Sequence, residues 1–78
     1  MVNWEERITV DPEVLAGKPI IKGTRVSVEF IIELLSGGTS IEELLKNYPR
    51  ITKEDVLACL AYAKDVLQDF HEYPLKAT

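Results

Sequence analysis

The segment GKPIIKGTRV, residues 17–26, carries three cations and no acid: Lys18, Lys22 and Arg25. Such side chains bind anions, either the phosphates of a nucleic acid or the carboxylates of a protein. In an unbroken strand Lys18 and Lys22 share one face, and Arg25 joins them only if Gly23 shifts the register by one residue. We interpret the three as candidate nucleic-acid-binding residues. The alternative is that these cations only protect an exposed edge strand from aggregation.

Residues suited to catalysis or metal binding are few. Cys59 falls on an apolar stripe, where cysteine usually behaves as a small buried hydrophobe. His71 stands near a helix end, where a histidine often only meets exposed carbonyl groups. A single cysteine and a single histidine provide no Cys/His zinc site and no intrachain disulfide. We therefore expect no enzyme activity, no catalytic or metal-binding residue and no cofactor.

The charge is unevenly distributed along the chain. Residues 1–27 hold four cations and four acids, whereas residues 28–78 hold five cations and nine acids, which gives the net charge of −4. Phosphate attraction supplies most non-specific DNA affinity, so any DNA contact is expected in the first third. No apolar run approaches the roughly 18 residues of a membrane span, and the first residues lack the order of a signal peptide. We expect a cytoplasmic protein with no membrane partner.

Two short strands are expected to position the basic segment. The alternation of Ile8-Thr9-Val10 predicts a half-buried strand. Asp11-Pro12 permits at most about one helical turn before Gly17. A second extended segment, Ile20–Val26, is interrupted at Gly23, which suits a bulge or a turn.

Three helices follow, and each has a start signal: Ser27, Ser40 and Thr52 are the expected N-caps. Gly37-Gly38 ends the first helix, which should be buried on most sides, and Pro49 ends the second. The third carries an apolar stripe formed by Val56, Cys59, Leu60, Ala63, Leu67 and Phe70.

The expected fold is mainly α: short N-terminal β-strands followed by a three-helix, helix-turn-helix-like bundle of the homeodomain or winged-helix kind. Residues 1–78 form one domain, with a strand and turn element over 1–27, a three-helix core over 28–70 and a tail over 71–78. A domain this small buries only about 60% of its unfolded surface, so we expect a homodimer.

The start of the third helix argues against base reading. A recognition helix presents Arg, Lys, Asn or Gln to the major groove, whereas Thr52-Lys53 is followed here by two acids, Glu54 and Asp55. Adjacent carboxylates repel phosphate, so we interpret this helix as structural.

The tail offers a different kind of contact. Phe70, Tyr73 and Leu75 are large apolar residues around the end of the last helix, and they either pack on their own domain or dock into a partner or a sister subunit. Trp4 raises the same question, since aromatic residues are favoured interface anchors.

Taken together, residues 8–63 resemble the domain-of-unknown-function family 433. The resemblance rests on the order and spacing of short motifs: Gly17-Lys18-Pro19, Ile21–Val26, the Gly37-Gly38 break before Ser40-Ile41-Glu42-Glu43-Leu44, and Tyr48-Pro49 before Thr52 and Asp55-Val56.

The resemblance implies a small helix-turn-helix-like domain, commonly dimeric. It also implies a relation to VapB-type antitoxins, which neutralise a PIN-like ribonuclease toxin and can repress their own operon. We therefore expect an antitoxin of a type II toxin–antitoxin system, with Phe70, Tyr73 and Leu75 as inferred partner contacts. The alternative is a homodimeric DNA-binding transcriptional regulator without a toxin partner.

Overall fold

The computed structural model describes residues 3–68. The N-terminal part consists of a 3₁₀ turn (Trp4–Glu6), strand β1 (Ile8–Val10), a second 3₁₀ turn (Leu15–Gly17) and strand β2 (Pro19–Ile21). It is followed by helices α1 (Val28–Ser36), α2 (Ile41–Asn47) and α3 (Lys53–Gln68). The fold is mainly helical with a small antiparallel sheet at its N-terminal end, as predicted.

The two strands form a short antiparallel pair in which Ile8 lies opposite Ile21. The extended segment predicted over Ile20–Val26 stops at Ile21, because the chain turns back on itself there. The Ile21 N–H donates to the Val26 carbonyl at 2.9 Å, and Gly23 within this turn has a φ of 77°. Of the two roles predicted for Gly23, the turn is the one observed.

The link between β1 and β2 is a turn whose last residues have a left-handed backbone conformation. Asp11 Oδ1 accepts a hydrogen bond from the Glu13 N–H at 2.9 Å, so Asp11 closes a local turn instead of starting a helix. Leu15, Ala16 and Gly17 then have φ values of 50°, 57° and 82°. This conformation costs roughly 1–2 kcal/mol at each non-glycine residue, so Leu15 and Ala16 are locally strained.

All three predicted N-caps are confirmed by hydrogen bonds to the first helical turn. The acceptors and donors are Ser27 Oγ with the Phe30 N–H, Ser40 Oγ with the Glu43 N–H, and Thr52 Oγ1 with the Asp55 N–H, at 2.9, 3.0 and 3.1 Å. A helix leaves its first N–H groups without internal partners, and such a cap typically stabilises it by about 1 kcal/mol.

The core lies where α1, α2 and α3 meet the sheet. Its largest fully buried side chains are Ile21, Ile31, Leu44, Val56 and Cys59. Within α1 only Val28 and Ile31 are buried, while the other apolar residues are half-buried, so this helix is more open than predicted. No helix within residues 3–68 is long and apolar enough to cross a membrane.

The N-terminal 3₁₀ turn fastens the start of the chain to α3. Trp4 Nε1 donates to Asp65 Oδ2 at 2.6 Å, and the Trp4 ring meets the Tyr62 ring edge-on with centroids 4.8 Å apart. Trp4 therefore packs on its own domain.

Candidate partner-binding surface around Arg25

Two of the three predicted cations, Lys18 and Arg25, border one groove, and Lys22 lies outside it. The groove has a volume of about 490 Å³. Its lining residues are Leu15, Lys18, Arg25, Val26, Ser27 and Phe30. The turn after β2 places Arg25 at this groove. Because the chain turns at Gly23, the alternation of side chains along a strand does not extend to Arg25.

Lys18 already has a carboxylate partner. Its Nζ lies 3.0 Å from Oε1 of Glu29 in the first turn of α1. The two side chains are 57% and 73% exposed, so the pair adds little stability, but it reduces the positive charge that Lys18 offers to another molecule.

A second groove, of about 340 Å³, lies on the other side of Arg25. It separates the turn after β2 from the α2–α3 link. The lining residues are Thr24, Arg25, Val26, Asn47, Tyr48, Pro49, Arg50 and Ile51. Arg25 thus borders both grooves, and the Phe30 and Tyr48 rings, one in each groove, meet edge-on with centroids 5.8 Å apart. We call the residues that line the two grooves the Arg25 surface.

Arg25 and Arg50 are both exposed. Within residues 3–68 neither side chain forms an ion pair or a side-chain hydrogen bond. Each guanidinium therefore keeps five donors in a planar fork that matches a carboxylate or a phosphate. Arginine and aromatic residues beside apolar walls are the composition of protein interfaces.

Arg50 was not among the predicted site residues. A signal for it was present, because residues 46–53 (KNYPRITK) contain three cations and no acid. That run spans the end of one helix and the start of the next, and a charge balance over residues 1–27 and 28–78 averages out so short a run.

Of the two acids at the start of α3, Asp55 forms contacts within the fold. Asp55 is 8% exposed, and its Oδ1 lies 3.1 Å from an Arg7 guanidinium nitrogen. Its Oδ2 accepts the Thr52 N–H at 3.0 Å, which makes the cap reciprocal. Of the two carboxylates expected to repel phosphate, Asp55 is therefore buried and paired, while Glu54 is exposed.

Cys59 is fully buried, as predicted for a small core hydrophobe. Burial, reinforced by the nearby Asp55 carboxylate, raises the pKa of its thiol from 9.0 to about 12. The thiolate is the nucleophilic form of cysteine, so this side chain is inert near neutral pH.

The predicted partner contacts Phe70, Tyr73 and Leu75 lie outside the described residues, as does His71. They stay predictions.

Comparisons with known proteins place the chain among relatives of unknown function. A model of the family described as "Protein of unknown function (DUF433)" matches residues 8–63. The chain is similar to the uncharacterised protein y4eO of Sinorhizobium fredii, with 32% identity over 59 residues, which are 76% of this chain and 27% of that protein. It is also similar to the crystal structure of a DUF433 member from Anabaena variabilis, with a TM-score of 0.75 and 30% identity. That match covers 85% of this chain and 65% of the other, so both relatives extend well beyond the part matched.

Proposed function

The chain belongs to the DUF433 family of proteins of unknown function, and from that premise we propose that it is an antitoxin-like protein of a type II toxin–antitoxin system. In this proposal it binds a PIN-like ribonuclease and blocks the acidic, metal-binding active site of that enzyme. The observation that carries the proposal is the pair of arginines, Arg25 and Arg50, that borders a largely apolar groove without a carboxylate partner in residues 3–68.

The chemistry of the Arg25 surface suits a protein partner. A guanidinium binds a carboxylate through two parallel hydrogen bonds, which fixes orientation as well as adding affinity. The groove walls include Val26, Tyr48 and Ile51, which would bury apolar area around those bonds. A cleft of about 340 Å³ admits a few side chains, so it suits the residues of a protein better than the backbone of a duplex.

The test is binding to the product of the adjacent reading frame, measured by calorimetry. Arg25→Ala and Arg50→Ala should each weaken binding by about 30-fold, which corresponds to the roughly 2 kcal/mol of an interface hot spot. Lys22→Ala is the matched control, because Lys22 is an exposed cation outside both grooves, and it should change affinity less than about threefold. Unchanged binding by both arginine variants, or a neighbour that is no nuclease, would refute the proposal.

A homodimeric DNA-binding regulator is the second candidate. Residues 48–52 join α2 to α3, a link about one residue longer than the usual turn of a helix-turn-helix motif, and Asp55 pairs with Arg7. Against it stand the net charge of −4 and the exposed Glu54. Titration of the chain's own promoter against salt decides this candidate. A DNA reader should lose about one unit of salt slope in Arg50→Ala, and no binding at low salt rejects it.

The homodimer is likewise part of the proposal. It is supported by the small size of the domain and by large apolar side chains that it leaves exposed outside the C-terminal end of α3, such as Val10 at 55%. Sedimentation at micromolar concentration tests it, and a sharp monomer boundary would contradict it.

A further inference from the structure

An apolar groove of about 320 Å³ runs along the C-terminal half of α3, apart from the Arg25 surface. Its lining residues are Pro19, Val28, Glu29, Tyr62, Ala63, Val66 and Leu67. We call it the α3 groove. Val66 is 38% and Leu67 70% exposed, so the apolar stripe that fills the core near Cys59 continues beyond the body of the domain. A stripe of this kind normally packs against another element.

We propose that the α3 groove binds the segment of this same chain that follows α3, with Phe70, Tyr73 and Leu75 as the residues that enter it. This inference is independent of the proposed function. A site on the domain itself was one of the two alternatives that the sequence left open for these side chains.

The position of the segment supports binding within one chain. Residue 69 follows directly on α3, whose last two turns form one wall of the groove. From Leu67 back to Tyr62 the helix rises only about 7.5 Å, whereas five residues of extended chain span roughly 17 Å. Pro74 opposes continuation of the helix, which favours a reversal of direction. The segment is therefore long enough to run back along the α3 wall of the groove, from Leu67 to Tyr62.

The chemistry of the segment also matches. Its three large apolar residues meet a lining in which Glu29 is the charged member, and Lys76 follows Leu75 directly. Because the segment is tethered at the groove, its effective concentration is in the millimolar range, so weak contacts suffice to hold it.

Paramagnetic relaxation in the full-length chain tests the proposal. Ala77→Cys allows a nitroxide to be attached near the end of the segment, while native Cys59 is fully buried and stays unlabelled. In ¹⁵N-labelled protein, we expect the amide signals of Val28, Tyr62 and Val66 to lose more than half of their intensity. The matched control carries the same label together with Phe70→Ala, Tyr73→Ala and Leu75→Ala, and these losses should disappear.

A mixing experiment separates binding within one chain from exchange between chains. Spin-labelled chains without ¹⁵N are mixed with ¹⁵N chains without the label. Intact signals in the mixture, with losses in the singly labelled chain, support the proposal. Losses of about half that size in an equimolar mixture, where half of the partners carry the label, show that the occupant comes from a second copy, and no losses in either sample show that the groove is empty of the segment. Each of these last two results overturns the proposal.

Discussion

Arg7 and Arg25 belong to the same N-terminal element, yet they lie in opposite environments. Arg7 reaches a buried carboxylate, Asp55, which also closes the cap of α3. Arg25 stands between two open grooves, with Arg50 across one of them and no acid in the lining of either. The Arg7 cation is paired within the fold, and the Arg25 cation has no partner within residues 3–68.

The difference distinguishes a charged side chain that is paired within the fold from one that is exposed and unpaired in residues 3–68. At the Arg7 end hydrogen bonds join Arg7, Asp55 and Thr52, and such networks fix one arrangement of the elements they join. At the Arg25 surface both arginines are exposed and have no partner in residues 3–68, so we expect them to contribute little to folding; in the proposed function they bind the partner. Mutations at the two places should therefore change different measured quantities.

The largest expected change in stability is that of Asp55→Ala. The variant removes the acceptor of the Thr52 N–H and the partner of Arg7, and we expect the free energy of unfolding to fall by about 2 kcal/mol. Urea denaturation measures it. Glu54→Ala is the control, since this neighbouring acid is exposed, and it should cost under about 0.5 kcal/mol. Equal losses in the two variants would show that the buried Asp55 carboxylate stabilises the fold no more than the exposed Glu54 carboxylate does.

Arg7→Ala should cost about 1 kcal/mol, less than Asp55→Ala. The Arg7 side chain is 39% exposed, which weakens its ion pair, and Asp55 keeps its bond to the Thr52 N–H. The double variant, with both Arg7→Ala and Asp55→Ala, should be no less stable than Asp55→Ala, within about 0.5 kcal/mol. Without the Asp55 carboxylate, Arg7 has no ion pair left to lose. Additive losses would show that Arg7 stabilises the fold by another contact.

Cys59 is expected to make the free energy of unfolding depend on pH by a fraction of a kcal/mol. Its thiol is buried in the core near the Asp55 carboxylate. The folded pKa of its thiol, about 12, is above the ordinary 9.0, so its contribution to stability is complete below pH 9 and is lost as the pH rises toward 12. Urea denaturation at pH 8 and 9.5 measures the loss. Cys59→Ala supplies the control, because lysines and tyrosines also titrate there. An identical pH dependence in both proteins would contradict the raised pKa.

The smallest change in stability is expected at the Arg25 surface. Arg25→Ala and Arg50→Ala should each alter the free energy of unfolding by less than about 0.5 kcal/mol, since neither side chain has a partner in residues 3–68. The measurement is the same denaturation series. A loss above 1 kcal/mol would show that the fold, and not a partner, requires these arginines.

Local signals predicted most of the fold. Ser27, Ser40 and Thr52 begin helices because a hydroxyl followed by a suitable first turn is a signal contained within four residues. The end of β2 was missed, because β-branched residues on both sides of Gly23 favour a longer strand, and only the hydrogen bond from Ile21 to Val26 shows the turn.

The candidate site was predicted less completely, since it depends on contacts across the chain. Proximity in sequence groups Lys18, Lys22 and Arg25, whereas the structure pairs Lys18 with Glu29 and places Arg25 and Arg50 in the lining of one groove. Asp55 was interpreted from its charge alone, and its role becomes clear only with Arg7, 48 positions away. No short sequence pattern contains the Lys18–Glu29 pair or the Arg7–Asp55 pair.

The bond between Trp4 and Asp65 joins residues 61 positions apart, and this separation has a consequence for synthesis. A ribosome adds about 5–20 residues per second, so Trp4 is synthesised some 3–12 seconds before Asp65. Until then the indole lacks the carboxylate that accepts its hydrogen bond. The domain therefore completes its packing only after nearly all of the described chain has left the exit tunnel.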